Sequence, residues 1–406
     1  MDRTILHCDC NAFYASVETL LRPELADGPM AVCGDPESRH GIILAKNEQA
    51  KKCGVQTAET IWQAKRKCPA LRLVPPHREA YVEFSRKCNE LYLQYTDLVD
   101  PFGIDESFLD VTGSLHLFGA GEKIADELRR RMQEEIGLTI SVGVSFNRAF
   151  AKLGSDYRKP NATTVFSREN YKELVWPMPV NTLLFVGPRV AKRLDGLGVR
   201  TIGELAACDP AFIHSLLGKA GDTLLRYARG EDDERVRSFY EEHAPKSVGN
   251  GMTFPHNLVG EDELKMGVTA LCDHVGRRLR GHQMKCQTVQ LLIRDPEFKN
   301  RSRQVTLERP TDSTRVLIDT CMEILHANWR LDQPVRMLTV TAAGLLPAGE
   351  AGEQLSLFDG GLQEMQKLQK LDRAMDALRQ RFGEDAVRYG HAVKPPAKDE
   401  KNEGDG

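Results

Sequence analysis

Residues 6–18 read Leu6-His7-Cys8-Asp9-Cys10-Asn11-Ala12-Phe13-Tyr14-Ala15-Ser16-Val17-Glu18. The apolar run Thr4 to Cys8 predicts a short buried strand, and Ala12 to Leu21 predicts a helix after it. Asp9 therefore ends a strand of the buried type, where ordinary structure does not want a carboxylate. A second such place is Phe102-Gly103-Ile104-Asp105-Glu106-Ser107-Phe108-Leu109, in a hairpin predicted over Leu98 to Val111 with Asp105-Glu106 at or near its turn. Carboxylates flanked in this way by apolar residues repel one another and lose hydration unless a cation sits among them. Two Mg²⁺ ions would remove the conflict, because Mg²⁺ takes a few carboxylates together with substrate phosphates and water. Such a pair of ions can stabilise both the attacking and the leaving oxygen of an in-line displacement. Either motif alone would read as acids at a strand end or in a turn.

Working outward, strands are predicted at Ala31–Cys33, Gly41–Ala45 and Leu138–Ser145, and helices at Asn47–Lys52, Tyr81–Tyr95 and Glu122–Glu135. Strands alternating with helices, plus a hairpin, indicate an α+β core. Residues 181–240 differ in kind. Phe185-Val186-Gly187-Pro188 opens a helix, Asp195-Gly196-Leu197-Gly198-Val199 makes a tight connection, and Thr201-Ile202-Gly203-Glu204 fits a capping box. This is a helix–hairpin–helix pattern, whose outward N–H groups can hold a backbone phosphate, with Gly187, Gly196 and Gly198 at its turns. Residues 246–346 read strand, helix, strand, strand, helix, strand, a separate small α+β domain. Its segment Arg301-Ser302-Arg303-Gln304-Val305-Thr306-Leu307 alternates so that one sheet face, with Arg301 and Arg303, would be basic and exposed.

The chain has 406 residues, 41% apolar and 28% charged, with 55 Lys+Arg against 58 Asp+Glu. That implies two to four domains and excludes wholesale disorder. No run of about 18 apolar residues is present to span a membrane. Ten scattered cysteines without disulfide-like spacing indicate reduced thiols in the cytoplasm. The formal charge of −3 would argue against nucleic acid, but residues 246–346 alone carry 14 basic and 11 acidic residues.

Asp9-Cys10-Asn11-Ala12-Phe13-Tyr14-Ala15-Ser16-Val17-Glu18 and Ile104-Asp105-Glu106-Ser107-Phe108-Leu109-Asp110 resemble the two catalytic motifs of Y-family translesion DNA polymerases. Ser141 to Asn147 and Ala151 to Asn161 resemble the family's third block, and the resemblance runs over about residues 1–346. It implies a multidomain α+β right-hand polymerase: palm 1–180 with fingers inserted at about 25–75, helix–hairpin–helix thumb 181–240, and α+β little finger 246–346. Asp9, Asp105 and Glu106, with the Cys10 carbonyl, would hold the metals; Tyr14 would be a steric gate against a ribose 2′-OH, and Phe13 would line the sugar pocket. Lys159 would pair with the triphosphate of an incoming deoxynucleotide, and Gly187, Gly196, Gly198, Arg301 and Arg303 would hold primer–template DNA. The protein would act as a monomer.

One departure stands out. Where the family's fingers read Tyr-x-Ala-Arg, this chain has Glu48-Gln49-Ala50-Lys51. Lys51 keeps the positive charge but lacks the bidentate fork, and Glu48 must turn away or pair with Lys46, Lys51 or Lys52. In residues 347–406, Gln354-Leu355-Ser356-Leu357-Phe358 matches the peptide with which such proteins bind the bacterial sliding clamp, Gln354, Leu355, Leu357 and Phe358 being the contact residues. Beyond it, Leu368, Leu371, Met375, Leu378 and Phe382 form one helical face, expected to pack on the protein's own domains, ahead of a disordered end. Two rivals to a polymerase are an inactive polymerase-like module that binds the clamp or repair factors, and a metal-dependent nuclease.

Overall fold

The first unit's strands are β1 (Ile5–Cys10), β2 (Met30–Cys33), β3 (Ile43–Lys46), β4 (Arg72–Val74), β5 (Val99–Pro101), β6 (Glu106–Asp110), β7 (Ile140–Ser145) and β8 (Thr163–Phe166). In this computed structural model the described residues are 2–36, 41–241, 244–349, 361–384 and 386–389. The chain divides into two units, Met1–Glu242 and His243–Gly406. β1 is wholly buried at the centre of a five-stranded sheet of order β5-β6-β1-β7-β8. It pairs antiparallel with β6 and β7, so Asp9 lies opposite both Glu106 and Ser141, and His7 opposite both Phe108 and Gly143.

Because side chains alternate across a strand, those residues share one face. The other face carries Leu6, Cys8, Cys10, Leu109, Val142 and Val144, packed in one core with Tyr81, Leu91 and Tyr92 of the Arg78–Tyr92 helix and Ile124 and Leu128 of the Gly121–Arg131 helix. Against the first face lies the Arg148–Tyr157 helix, capped by Asn147, whose side chain accepts from the Phe150 N–H at 2.8 Å. This helix meets β7 backbone to backbone. A Cβ on Gly143 would stand 1.9 Å from the Ala151 carbonyl oxygen, and one on Gly154 would stand 2.9 Å from the Gly143 Cα.

Residues 30–74 form a three-stranded sheet of their own, order β3-β2-β4, with β4 parallel to β2. From residue 188 the unit is helical: Pro188–Asp195, Ile202–Ala206, Pro210–Leu217 and Lys219–Arg229 share a core with Phe146 and Phe150. The expected capping box is built, with Thr201 Oγ accepting from the Glu204 N–H at 3.1 Å and Glu204 Oε2 accepting from the Thr201 N–H at 2.9 Å.

The second unit follows the expected order of elements. Strands β9 (Ser247–Leu258), β10 (Met284–Arg294), β11 (Asn300–Thr311) and β12 (Val335–Pro347) form an antiparallel sheet, order β11-β10-β12-β9, whose core is shared with the Glu261–Gly281 and Thr314–Asn328 helices. The register of β11 decides which side of the sheet its arginines occupy. Arg301 lies opposite Ile293 and Arg303 opposite Leu291, so both arginines stand on the side where those residues are buried. Arg301 stacks over Trp329 at 5.0 Å. Both arginines are nonetheless exposed, and the opposite face of β11 carries Ser302, Gln304 and Thr306.

A Gly361–Phe382 helix follows, and of the expected apolar stripe it docks by Met375, with polar residues beside it in place of the rest. Asp372, Met375 and Arg379 are buried, whereas Leu371, Leu378 and Phe382 are exposed. The docking contacts are polar: Asp372 accepts from the Thr314 N–H at 3.0 Å, Arg280 donates to Asp376, and Arg379 donates to Asp273 at 2.9 Å. Gln354 to Phe358 lie outside the described residues. Among the described residues no helix is long and apolar enough to cross a membrane.

The glycine contact makes a direct prediction. Gly143→Ala should lower stability by about 3 kcal/mol, the upper range for overpacking, because backbone rather than a flexible side chain must move. A urea unfolding midpoint equal to that of the parent would show that the helix does not need this close approach.

Candidate active site

The strand register brings two distant segments of sequence together. Asp9 and Glu106, 97 positions apart in the chain, face each other across the β1–β6 pair, and His7 stands one pleat behind them. Oxygens of Asp9 and Glu106 and a ring nitrogen of His7 all lie within 4.8 Å of one another. Asp105, in the turn just before β6, belongs to the same neighbourhood but stands outside that tight group.

Two lysines, Lys152 on the helix packed on this face and Lys159 in the loop after it, hold the carboxylates. Lys152 Nζ donates to Asp9 Oδ2 at 3.0 Å and to Glu106 Oε2 at 2.6 Å, and lies 3.4 Å from Asp156. Lys159 Nζ bridges Asp9 Oδ1 at 2.8 Å and Asp156 Oδ1 at 2.7 Å. Four carboxylates (Asp9, Asp105, Glu106, Asp156) against two ammonium groups leave two formal negative charges. Burial, then repulsion from Asp9 and Glu106, pushes the Asp105 carboxyl above its ordinary value. Burial acts the same way on Glu106, but His7 and Lys152 more than offset it and hold that carboxyl at about 2. The donor set and its charge fit a divalent cation, with Asp9, Glu106 and Asp105 as the hard oxygen ligands such an ion takes.

His7 is fully buried, and burial pushes its pKa down. Ser155 Oγ donates to the Lys152 carbonyl at 2.8 Å, so its lone pairs face His7 Nδ1, 2.8 Å away. The other ring nitrogen, Nε2, faces Glu106 Oε2 at 3.4 Å. Asn11 closes the other side, accepting from the Asn161 N–H at 2.8 Å and donating to Ser141 Oγ at 2.9 Å. It ties the end of β1 to the loop that carries Lys159.

Tyr14 is half-buried and stacks on Tyr81 with ring centroids 4.1 Å apart and 13° between planes. Tyr81 is pinned in turn, its hydroxyl donating to the buried Glu18 carboxylate, which also takes Arg22 at 2.7 Å and His77 at 2.8 Å. Phe13 is buried in the core behind the sheet, whereas the Tyr14 ring is only partly covered. Lys152, His7, Ser155, Tyr81 and Glu18 were not singled out from sequence. Tyr81 falls into an ordinary core periodicity, whereas Lys152, a cation within Ala149-Phe150-Ala151-Lys152-Leu153-Gly154, was a usable signal.

Other expected site residues lie apart from this cluster in sequence and element. Glu48 pairs with Lys51 at 3.3 Å, both about half exposed, which resolves how an acid is tolerated there. Gly187 caps the Pro188–Asp195 helix, and Gly196 and Gly198 lie in the turn that follows it, Gly198 with φ +79°. Arg301 and Arg303 belong to the second unit.

Comparison with known proteins places this geometry. The sequence profile of the impB/mucB/samB family matches residues 8–156, and that of the family's C-terminal domain matches residues 245–357. A protein named DNA polymerase IV from Acetivibrio thermocellus is 45% identical over 390 residues, covering 96% of this chain and 97% of the relative. A DNA polymerase IV of Pelotomaculum thermopropionicum is 36% identical, with 96% of each chain covered. A DNA polymerase IV 1 of Bacillus subtilis is 34% identical, covering 97% of this chain and 94% of its own. Among solved structures, a Y-family DNA polymerase chimera superposes with a TM-score of 0.74 at 22% identity, covering 84% of this chain and 99% of the other, a likeness of fold.

The electrostatics of the cluster yield a titration prediction. In Lys152→Met the Glu106 carboxyl should rise from about 2 toward or above its ordinary 4.5, since burial and the neighbouring acids remain. In the parent the depressed carboxyl stabilises the fold above about pH 4.5 and loses that contribution as pH falls toward 2; the variant lacks it. Carboxyl-carbon NMR titration reads the shift, and an unmoved Glu106 would remove Lys152 from this role.

Proposed function

This chain belongs to the impB/mucB/samB family of Y-family DNA polymerases and is similar to its DNA polymerase IV members, and from that premise we propose how its residues do the work. The protein is a DNA-directed DNA polymerase of the translesion type, acting on primer–template DNA and deoxynucleoside triphosphates, and it uses a divalent metal. Names of full-length relatives leave the inactive-module reading without support.

The proposed cofactor is two Mg²⁺ ions held by Asp9, Asp105, Glu106 and the Cys10 carbonyl; when bound they neutralise charge on the attacking and leaving oxygens of nucleotidyl transfer. The observation that carries this reading is the Asp9–Asp105–Glu106 group, which together with Asp156 exceeds its two lysines by two negative charges. Lys159, now shared by Asp9 and Asp156, would turn to the triphosphate, with Lys51 a second, weaker contact from the Glu48–Lys52 helix. Lys152 keeps Asp9 and Glu106 oriented before substrate arrives. Tyr14, held flat by Tyr81, would fill the space of a 2′-OH and so exclude ribonucleotides. Fidelity would be low, because such a site tests sugar and charge more than base shape.

Gly187, Gly196 and Gly198 of the thumb and Arg301 and Arg303 of the little finger would hold the duplex backbone, the arginines reaching from the edge of their sheet. Gln354, Leu355, Leu357 and Phe358 would bind the sliding clamp and supply the residence on DNA that a net charge of −3 does not. A monomer working in the cytoplasm fits ten free thiols.

A labelled primer annealed to a longer template should lengthen with deoxynucleotides and Mg²⁺ and stop with a chelator. Asp105→Ala should lower the rate about 10³-fold, the range for losing a main electrostatic stabiliser. Extension at the parent's rate would overturn the metal assignment, and shortening of the primer would favour a nuclease. Tyr14→Ala and Tyr81→Leu should each raise the ratio of ribo- to deoxynucleotide kcat/KM by about 10-fold or more. An unchanged ratio in both would remove the gate.

A further inference from the structure

Phe185 sits where local physical chemistry disfavours it twice. Its backbone is left-handed, φ +68°, a region that suits glycine and strains a bulky side chain. Its ring is 62% exposed, and the nearest aromatic neighbour, Tyr227, is 6.3 Å away between centroids. The turn itself is well held: Leu183 and Val186 are buried on either side, Val186 N–H donates to the Leu183 carbonyl at 3.0 Å, and Gly187 N–H to that of Phe185 at 3.2 Å. Those anchors impose the left-handed conformation, which a glycine would adopt without strain. A phenylalanine here serves nothing inside the thumb's core, so its ring is displayed for a contact outside the chain.

The charges nearby name the partner. Arg189, Lys192 and Arg193 on the next helix are exposed, and among the described residues none of them makes an ion pair. Three unpaired cations beside an exposed apolar ring fit the sugar–phosphate backbone of duplex DNA: cations for phosphates, and a ring for the apolar face of a deoxyribose. We propose that Phe185 is a DNA-contacting residue of the thumb, packing on a deoxyribose of the primer–template duplex between phosphates held by Arg189, Lys192 and Arg193. This rests on the reading of the helix–hairpin–helix as the DNA-holding thumb.

Three full-length proteins test it: the parent, Phe185→Gly, and the double variant Lys192→Ala/Arg193→Ala. Primer–template affinity is measured by fluorescence anisotropy across a salt series, and stability by urea unfolding. Phe185→Gly should weaken DNA binding about 5- to 10-fold, the worth of some 50 Å² of apolar contact, with the salt dependence unchanged. Its urea midpoint should equal or exceed the parent's, since strain is relieved and no core is lost. The double variant should weaken binding and reduce the log–log salt slope by about 1 to 2. If only the double variant changes, the thumb reading stands and the Phe185 role is overturned. If neither changes, the thumb reading itself fails. A lowered urea midpoint in Phe185→Gly would make the residue a structural one and also overturn the proposal.

Discussion

The Arg148–Tyr157 helix can lie on β7 at backbone distance only because Gly143 and Gly154 put no side chain between them. Much of the site hangs on that approach. It brings Lys152 Nζ to 2.6 Å from Glu106 and 3.0 Å from Asp9, and it sets Ser155 against His7 beneath them. A helix held further off would leave buried acids facing one another with no cation in reach, at the cost that burial exacts from unpaired charge. The same helix leads into the loop that delivers Lys159 to the other oxygen of Asp9. The local charge is thus partly balanced within the chain and still short by two, a state that holds the carboxylates in place and leaves them ready for a divalent ion.

Support for the nucleotide side of the site follows a similar logic of indirect hold. Tyr14 has one face on Tyr81, and Tyr81 is fixed by a carboxylate, Glu18, that is fully buried and satisfied by three partners. A buried carboxylate is tolerated only when so paired, and the pairing in turn removes freedom from the ring that Tyr14 rests on. The ring surface that Tyr14 presents is thus held by a chain of contacts and not by a single side chain.

The second unit shows the limits of reading apolar spacing. The Gly361–Phe382 helix carries an evident apolar stripe, yet it docks through Asp372, Met375 and Arg379, leaving Leu371, Leu378 and Phe382 in solvent. The Glu261–Gly281 helix and the start of the Thr314–Asn328 helix offer Arg280, Asp273 and the Thr314 N–H at matching positions, and these polar groups would be left unsatisfied if the apolar stripe turned inward. Arg301 and Arg303 follow the same rule: their alternation is legible, but which side of the sheet they occupy was set by pairing with β10.

Local chemistry in the sequence determined the elements themselves, the two acidic motifs, the capping box at Thr201 and the order of domains, because hydrophobic period, capping residues and turn residues act over a few positions. The short parallel strands β4 and β8 escaped that reading, having too few residues to show a period and being held by their neighbours β2 and β7. Tertiary structure alone decided that Lys152 and not only Lys159 stands among the carboxylates, that Tyr81 backs Tyr14 while Phe13 retires into the core, and that Phe185 is turned outward on a strained backbone. The physical reason is that register and close packing join residues 46 to 148 positions apart in the chain, through contacts that no local pattern records.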